Sequence, residues 1–251
     1  MKRITIIGLA VIGLALSSCN KEEENTAAAE TAQPTEADAV AIIEESLSKE
    51  QGGEAKELEL MLESLESNLM PQGDGQGNGI AQGNLDCNVP FDTTFTYTIG
   101  GDATGTFTHN WNFLLNCQAG IPLSLNVNAS HEGTFSGPNI EREVNGNRQR
   151  VWTGLQPFAT EFVLNGSSTR YGTRTHNFGA GNTFTWTLNR TVTDLTIDKA
   201  THQILSGTAT LEGDLIVSNG NNYEFDATLV FNGDGTATLT INGNEYVIEL
   251  G

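Results

Sequence analysis

The sequence predicts an all-β, antiparallel domain of sandwich, meander or barrel-like form, preceded by a short acidic helical arm. From residue 85 onward polar and apolar residues alternate with a period of two, and Gly- and Asn-rich turns separate the alternating stretches. The composition agrees, since 30 Thr and 24 Asn among 251 residues favour strands and turns. No helical pattern separates these stretches, which excludes a parallel α/β sheet.

Individual strands are clearest in two places. In residues 106–113, Phe107, His109, Trp111 and Phe113 share one face, while Thr and Asn occupy the other. The C-terminal end predicts a three-stranded meander with strands 225–231, 236–241 and 246–250 and turns 232–235 and 242–243. Most of the dozen stretches have five to eight residues, whereas a membrane-spanning strand needs about 9 to 11, so we do not expect a spanning barrel.

The N-terminus carries the features of an export signal. Lys2 and Arg3 precede an apolar run from Ile4 to Leu16, which is shorter than the roughly 20 residues of a spanning helix. The run ends in Leu16-Ser17-Ser18-Cys19, which resembles the lipobox of bacterial lipoproteins. The resemblance implies a signal peptide over 1–18, cleavage before Cys19 and attachment of diacylglycerol to its thiol, so that the lipid anchor makes the membrane a partner.

The residues after the cysteine indicate a destination. Asn20-Lys21-Glu22-Glu23-Glu24 resembles the signal that sends Bacteroidota lipoproteins to the outer face of the outer membrane. The resemblance implies an outer-membrane protein displayed on the cell surface. An acidic, solvated tether on a protein that faces the periplasm is the alternative. Two or three acyl chains would anchor the chain stably in either location.

The mature chain is predicted to begin with an acidic arm. Residues 21–70 contain 14 acidic residues and three Lys. Residues 19–35 form a lipidated, disordered tether, and 36–70 form a helical segment that begins with a capping-box pattern at Thr35 and Asp38. Its second helix has an apolar stripe with helical spacing, formed by Leu58, Met61, Leu62, Leu65 and Leu69.

That stripe must be covered, because an isolated helix of this length is marginally stable in water. We expect it to pack on its partner helix or on the β-domain, or else to dock to another envelope protein. Residues 71–84 are a Gly-rich linker, and the β-domain covers 85–251.

The cysteines and histidines indicate a disulfide but no metal site. With Cys19 assigned to lipid, Cys87 and Cys117 remain as an even pair outside the cytoplasm, where a disulfide is expected. The four histidines lie scattered along the chain without ligand spacing. We therefore predict no metal and no cofactor.

The charge distribution contains one anomaly. The formal net charge of −19 makes nucleic acid an unlikely partner. All six Arg of the β-domain nevertheless lie between residues 142 and 190, where only Glu143 and Glu161 oppose them. This positive segment lies within a strongly acidic protein.

A candidate ligand site follows from this segment. If Val151 and Leu155 face the core, Arg148, Arg150 and Trp152 share the exposed face, where Trp can stack on a sugar and guanidinium groups can bind an anion. The candidate ligand is an anionic glycan. Two alternatives stay open: Arg side chains cover Trp152, or the arginines receive the protein's own acidic arm.

No catalytic motif is present, so the sequence favours a non-catalytic binding or interaction module of the cell envelope. No Gly-x-Ser-x-Gly and no His-Glu-x-x-His occurs. A structural or assembly role for the helical arm is one alternative. An uncharacterised glycan hydrolase is another, because two carboxylate pairs, Glu141 with Glu143 and Glu212 with Asp214, each share a strand face.

The lipid anchor gives the first prediction. In a bacterial host with lipoprotein processing, the wild-type chain should enter the detergent phase of a Triton X-114 partition, and its N-terminal peptide should carry a diacylglyceryl cysteine by mass spectrometry. Cys19→Ser should abolish both, because serine has no thiol to form the thioether. A wild-type chain with an intact, unacylated N-terminus would contradict the assignment.

Overall fold

A computed structural model describes residues 33–69, 85–176 and 183–250. The predicted signal peptide, Cys19, most of the tether and the Gly-rich linker lie outside these residues. Two helices precede the strands: α1, Glu36–Leu47, and α2, Glu54–Leu69. The strands are β1 Pro90–Ile99, β2 Thr104–Gln118, β3 Ile121–Ser136, β4 Ile140–Thr153, β5 Glu161–His176, β6 Thr183–Asp198, β7 Ile204–Val217, β8 Asn222–Phe231, β9 Thr236–Ile241 and β10 Asn244–Glu249.

The ten strands form one sheet in the order β1 to β10. Every neighbouring pair is antiparallel. The all-β fold with an N-terminal helical arm is therefore confirmed. It takes the form of a meander, and the two-sheet sandwich is wrong.

Most strands are longer than the sequence predicted. β3, β5 and β6 have 16 residues each, and only β9 and β10 have six. The sequence pattern underestimates the strand lengths because many inward positions of β4 and β5 hold Arg, Gly or Ser instead of apolar residues. A register shift between Leu164 and Gly166 further interrupts the pattern in β5.

Glycines on the inward face make room for large neighbours. A Cβ at Gly146 would lie 2.3 Å from the Cε1 atom of His131, and a Cβ at Gly133 would lie 2.3 Å from the Phe107 ring. Such distances are far below ordinary carbon contacts of about 3.5 to 4 Å. Each large side chain therefore lies across the glycine of the next strand.

The helical arm shares one core with the sheet. The capping box at Thr35 and Asp38 starts α1 as predicted, and the inward side chains of both helices belong to the same buried cluster as the strands. The stripe of α2 is therefore covered within the protein, although the side chain of Leu69 lies outside the described part. The buried arm residues are Ala39, Val40, Ile42, Ile43, Leu47, Leu58, Leu60, Met61, Leu62 and Leu65.

The turn between the helices packs on β2. Gly52 has a φ of 70°, and a Cβ there would lie 2.6 Å from the Phe107 ring. Both the left-handed backbone and the close approach therefore require glycine. This contact fixes the turn before α2 against the N-terminal part of β2.

The predicted disulfide is confirmed. Cys87 and Cys117 are bonded with an S–S distance of 2.01 Å, and they join the segment before β1 to the C-terminal end of β2. Among the described residues, the two helices are too short or too polar to span a bilayer.

Candidate functional site

The inward face of β4, β5 and β6 holds all six arginines of the β-domain. Each is between 3% and 7% exposed, although arginine is rarely buried without a partner. We call this set the arginine cluster: Arg142, Arg148, Arg150, Arg170, Arg174 and Arg190.

Strand register brings these residues together. Arg142 on β4 lies opposite Arg174 on β5. Arg148 on β4 and Arg190 on β6 both lie opposite Ser168 of the central strand. Small residues between the arginines leave space for the long side chains to cross the sheet.

Three glutamates of the arm enter the cluster. Glu57 on α2 pairs with both terminal nitrogens of Arg148 and is fully buried. Glu54, one helical turn earlier, bridges Arg150 and Arg190. These are charge-assisted contacts to buried arginines, so removal of a carboxylate leaves an uncompensated buried charge.

The third glutamate comes from α1. Glu45 accepts a hydrogen bond from Nε of Arg174 at 3.0 Å and lies 3.5 Å from Nη1 of Arg142. Because Arg142 and Arg174 face each other across β4 and β5, the carboxylate of Glu45 reduces the repulsion between two like charges.

Backbone carbonyls of the helix–helix turn supply further acceptors. Arg170 donates to the carbonyl of Ser46 at 2.6 Å and to that of Gly52 at 3.4 Å. Arg142 donates to the carbonyl of Gln51 at 2.5 Å. The arm therefore contacts the arginine cluster through its carboxylates and through backbone carbonyls of the turn between its two helices, where carbonyls at a helix end lack a partner within the helix.

Two histidines lie against the cluster. The rings of His109 and His131 stack with centroids 5.7 Å apart. Nδ1 of His131 lies 2.7 Å from Nη2 of Arg148, and its Nε2 lies 3.1 Å from Nε of Arg170. A neutral imidazole accepts at one nitrogen only, so only one of these two contacts is a hydrogen bond.

Donors therefore outnumber acceptors in the cluster. Within the described part of the chain, six buried arginines face three glutamates, of which Glu45 and Glu57 are buried and Glu54 is partly exposed. Burial lowers the pKa of Arg142, Arg170 and Arg190 to about 10, so these groups remain charged at neutral pH. Five buried guanidinium nitrogens form no hydrogen bond among the described residues, and one of them, Nη1 of Arg148, is ion-paired with Glu57. The other four are Nε of Arg142, Nε of Arg148, Nη1 of Arg150 and Nε of Arg190, while the only described glutamate oxygen of the cluster that lacks both a hydrogen bond and a close ion pair is Oε2 of Glu45.

The orientation predicted for Arg148, Arg150 and Trp152 is wrong. These residues face the core, with Trp152 fully buried, whereas Val151 is 42% exposed. Because arginine is charged, the sequence pattern predicts a surface position for these residues. In the structure, the carboxylates of the arm neutralise them inside the protein. The accessible tryptophan face that the predicted ligand site required is therefore absent in this conformation, and ligand binding by these residues remains a prediction.

Sequence reasoning missed the residues that complete the site. His109 and His131 lie opposite each other on β2 and β3, a proximity that linear spacing does not reveal. A signal for the glutamates did exist, because Glu54 and Glu57 lie at i and i+3 beside the apolar stripe that begins at Leu58.

The predicted carboxylate pairs lie elsewhere. Glu141 and Glu143 are exposed on β4 and line an open depression of about 550 Å³, together with Thr and Ser side chains. Glu212 and Asp214 line a second depression of about 630 Å³. In the described part of the chain, no group of three or more His, Cys, Asp or Glu side chains is arranged to hold a metal.

Comparisons of this chain with protein-family models, curated proteins and solved structures find no match.

Removing one buried carboxylate tests the energetics of the cluster. Glu57→Gln should lower the free energy of unfolding by about 3 to 5 kcal/mol, because it leaves Arg148 buried without its counter-ion. Glu59→Gln is the matched control on the same helix. Glu59 pairs with Lys49 and Lys56 while partly exposed, so its loss should cost less than about 1 kcal/mol. Urea unfolding measures both, and equal values would contradict the assignment.

The buried histidines predict an acid-sensitive fold. Burial, and then the charge of Arg170, lowers the pKa of His109 to about 3, and burial also lowers the pKa of His131. His109 faces Glu57 at 3.7 Å and the rings of Tyr97 and His131. An unfolded histidine titrates near pH 6.5, so the unfolded chain binds more protons below that pH and stability falls.

Each histidine should remove about 2 kcal/mol of stability between about pH 7.5 and pH 5. Urea unfolding at both pH values measures the loss. His109→Gln should remove about half of the histidine contribution, whereas His202→Gln, outside the core, should leave it unchanged. An identical loss in wild type and His109→Gln would refute this account.

Proposed function

We propose that the protein is a non-catalytic, lipid-anchored binding module of the cell envelope, and that its ligand site is the inward face of β4 to β6. In the conformation described here, the protein's own acidic arm occupies that face. The observation that carries the proposal is the excess of buried guanidinium groups over carboxylates.

The charge imbalance supports a ligand with more negative charge than the arm provides. A face used only for internal packing would be more stable with apolar residues of similar volume, because buried ions pay a desolvation cost. Six arginines held against three carboxylates leave unused N–H donors. Further carboxylate, sulfate or phosphate groups would satisfy them.

The arrangement of donors favours a polyanionic glycan. The arginine cluster spans three strands, so successive anionic groups along a chain could contact successive arginines bidentately. Trp111 lies in the same cross-strand row as Arg148, and Trp152 follows Arg150 on the inward face of β4. The two indole rings would provide stacking surfaces once the arm leaves. This is the chemistry of an acidic or sulfated sugar polymer.

The arm acts as a competitor in this proposal. It presents Glu45, Glu54 and Glu57 to the groups that a ligand would contact, and the covalent linker gives it a high effective concentration. A ligand therefore binds with an apparent affinity reduced by the small fraction of molecules in which the arm is displaced.

The proposed location follows from the N-terminus. Thioether lipidation of Cys19 would hold the chain at the outer membrane, and the acidic residues after it favour the cell surface. Residues 19–35 would separate the anchor from α1.

A second role is assembly with another envelope protein through the arm. The apolar residues of both helices belong to the core of this protein, so a partner would have to withdraw the arm from the sheet. The hydrolase alternative is less well supported, because Glu141 and Glu143 are exposed in an open depression and not enclosed in a concave pocket of the kind that binds small ligands.

Weakening the hold of the arm tests the proposed site. Glu54→Gln removes the carboxylate that bridges Arg150 and Arg190 near the start of α2, where the side chain is 15% exposed. If this weakens closure by about 1.4 kcal/mol, binding to sulfated or uronic-acid glycans should strengthen about tenfold. Glycan arrays followed by titration calorimetry on the full chain measure the change.

Glu50→Gln is the control, because it removes the same charge from an exposed position of the arm. It should bind as the wild type does. Absence of binding to every anionic glycan by wild type and Glu54→Gln, or equal gains in both variants, would reject the proposal.

A further inference from the structure

The two edge strands of the sheet differ in how they are protected. β10 has six residues and carries Glu245 and Glu249. β1 has ten residues, PFDTTFTYTI, and Asp92 is its only charge. Short length and charge discourage pairing at a sheet edge, whereas a long, nearly uncharged edge favours it.

The inward side of β1 is incompletely covered. Phe91, Phe95, Tyr97 and Ile99 are only partly buried, whereas the neighbouring inward residues of β2 are 0% to 2% exposed. The inward apolar side chains of β1 are therefore covered by β2 on one side and are uncovered on the side of the sheet edge. Among the described residues, no strand pairs with the outer edge of β1. An added strand would bury its uncovered side and pair the backbone groups of that edge.

We propose that β1 pairs antiparallel with β1 of a second copy of this chain, about a two-fold axis at Phe95. In this register Phe95 faces Phe95 of the second copy, Phe91 faces Ile99, Thr94 faces Thr96 and Asp92 faces Thr98. Inward residues face inward residues, so the two sheets become one continuous sheet.

The sequence of β1 selects this register. A shift by one residue would place inward side chains opposite outward ones. A shift by two residues leaves either Phe91 or Ile99 with no residue of the second β1 strand opposite it. The register centred on Phe95 pairs all residues from Phe91 to Ile99, and Pro90, which has no N–H to donate, falls outside it.

The β1 edge avoids the charge repulsion that would oppose a second copy elsewhere on the surface. Two chains of net charge −19 repel each other over most of their surface. Apart from Asp92, the outward residues beside the β1 edge are neutral, however, because Thr94, Thr96 and Thr98 pair with Asn110, Thr108 and Thr106 on β2. In the proposed register no charge faces a like charge, which gives the self-complementary contact of a two-fold dimer.

A charge-swap experiment tests both the dimer and its register. Thr94 and Thr96 are exposed, and their hydroxyls contact Asn110 and Thr108. The double variant Thr94→Glu/Thr96→Glu places glutamates opposite each other twice across the axis, so dimerisation should weaken at least about tenfold. Thr94→Lys/Thr96→Glu places lysine opposite glutamate twice and should still dimerise.

These two variants are matched, because each loses the same hydroxyl contacts within its own chain. Sedimentation equilibrium of the full chain in density-matched detergent measures association, and thermal unfolding shows that both variants are folded. Val247→Lys changes the 67%-exposed valine of the opposite edge strand and should leave the dimer intact.

Mixing provides an independent readout. Equal amounts of Thr94→Glu/Thr96→Glu and Thr94→Lys/Thr96→Lys should form a heterodimer, although each alone is weakened. A wild-type chain that stays monomeric up to about 1 mM, or a dimer of equal strength in the Glu/Glu and Lys/Glu variants, would overturn the proposal. Dissociation by Val247→Lys would assign the interface to β10 and would also overturn it.

Discussion

The contact between three arm glutamates and six sheet arginines determines the orientation of the central strands. Arg148, Arg150 and Arg190 can face the core only because Glu54 and Glu57 meet them there. The inward direction of β4 to β6 in turn places Val151 and the Thr-rich positions outside. Without the arm, this face would expose guanidinium groups and tryptophan side by side.

The ion pairs and the apolar contacts make different contributions. Ten apolar residues of the arm are buried, and a fully buried aliphatic side chain contributes about 1.5 to 3 kcal/mol. A buried ion pair contributes little net stability, because desolvation offsets its Coulomb energy. The apolar residues therefore supply most of the free energy that holds the arm. The glutamates specify its position, since a shift of α2 along its axis would break the Glu54 contacts to Arg150 and Arg190 together with that of Glu57 to Arg148.

Local patterns predicted the parts of the fold that depend on neighbours in sequence. The alternation of residues 106–113, the C-terminal meander, the capping box at Thr35 and the Cys87–Cys117 disulfide were all predicted. The orientation of Arg148, Arg150 and Trp152 was not predicted, because it depends on glutamates of the arm. Glu57 and Arg148, for example, are separated by 91 residues along the chain. Hydrophobic periodicity treats arginine as a surface residue and contains no information on such a partner.

The same imbalance that makes the cluster a candidate ligand site also limits how firmly the arm can close it. Glu57 is paired closely with Arg148 and Glu54 bridges two arginines, whereas Arg170 has only a share of Glu57, whose Oε1 lies 3.7 Å from its Nη2, and completes its contacts with backbone carbonyls and one histidine nitrogen. Carbonyl dipoles compensate a buried cation less well than a carboxylate does. A closed state that leaves donors unsatisfied has a smaller free-energy gap to the open state than a charge-balanced one. If carboxylates of the arm neutralised every arginine, the closed state would be more stable and an external anion would displace the arm less readily. An excess of arginine over glutamate is therefore the arrangement that a displaceable arm requires.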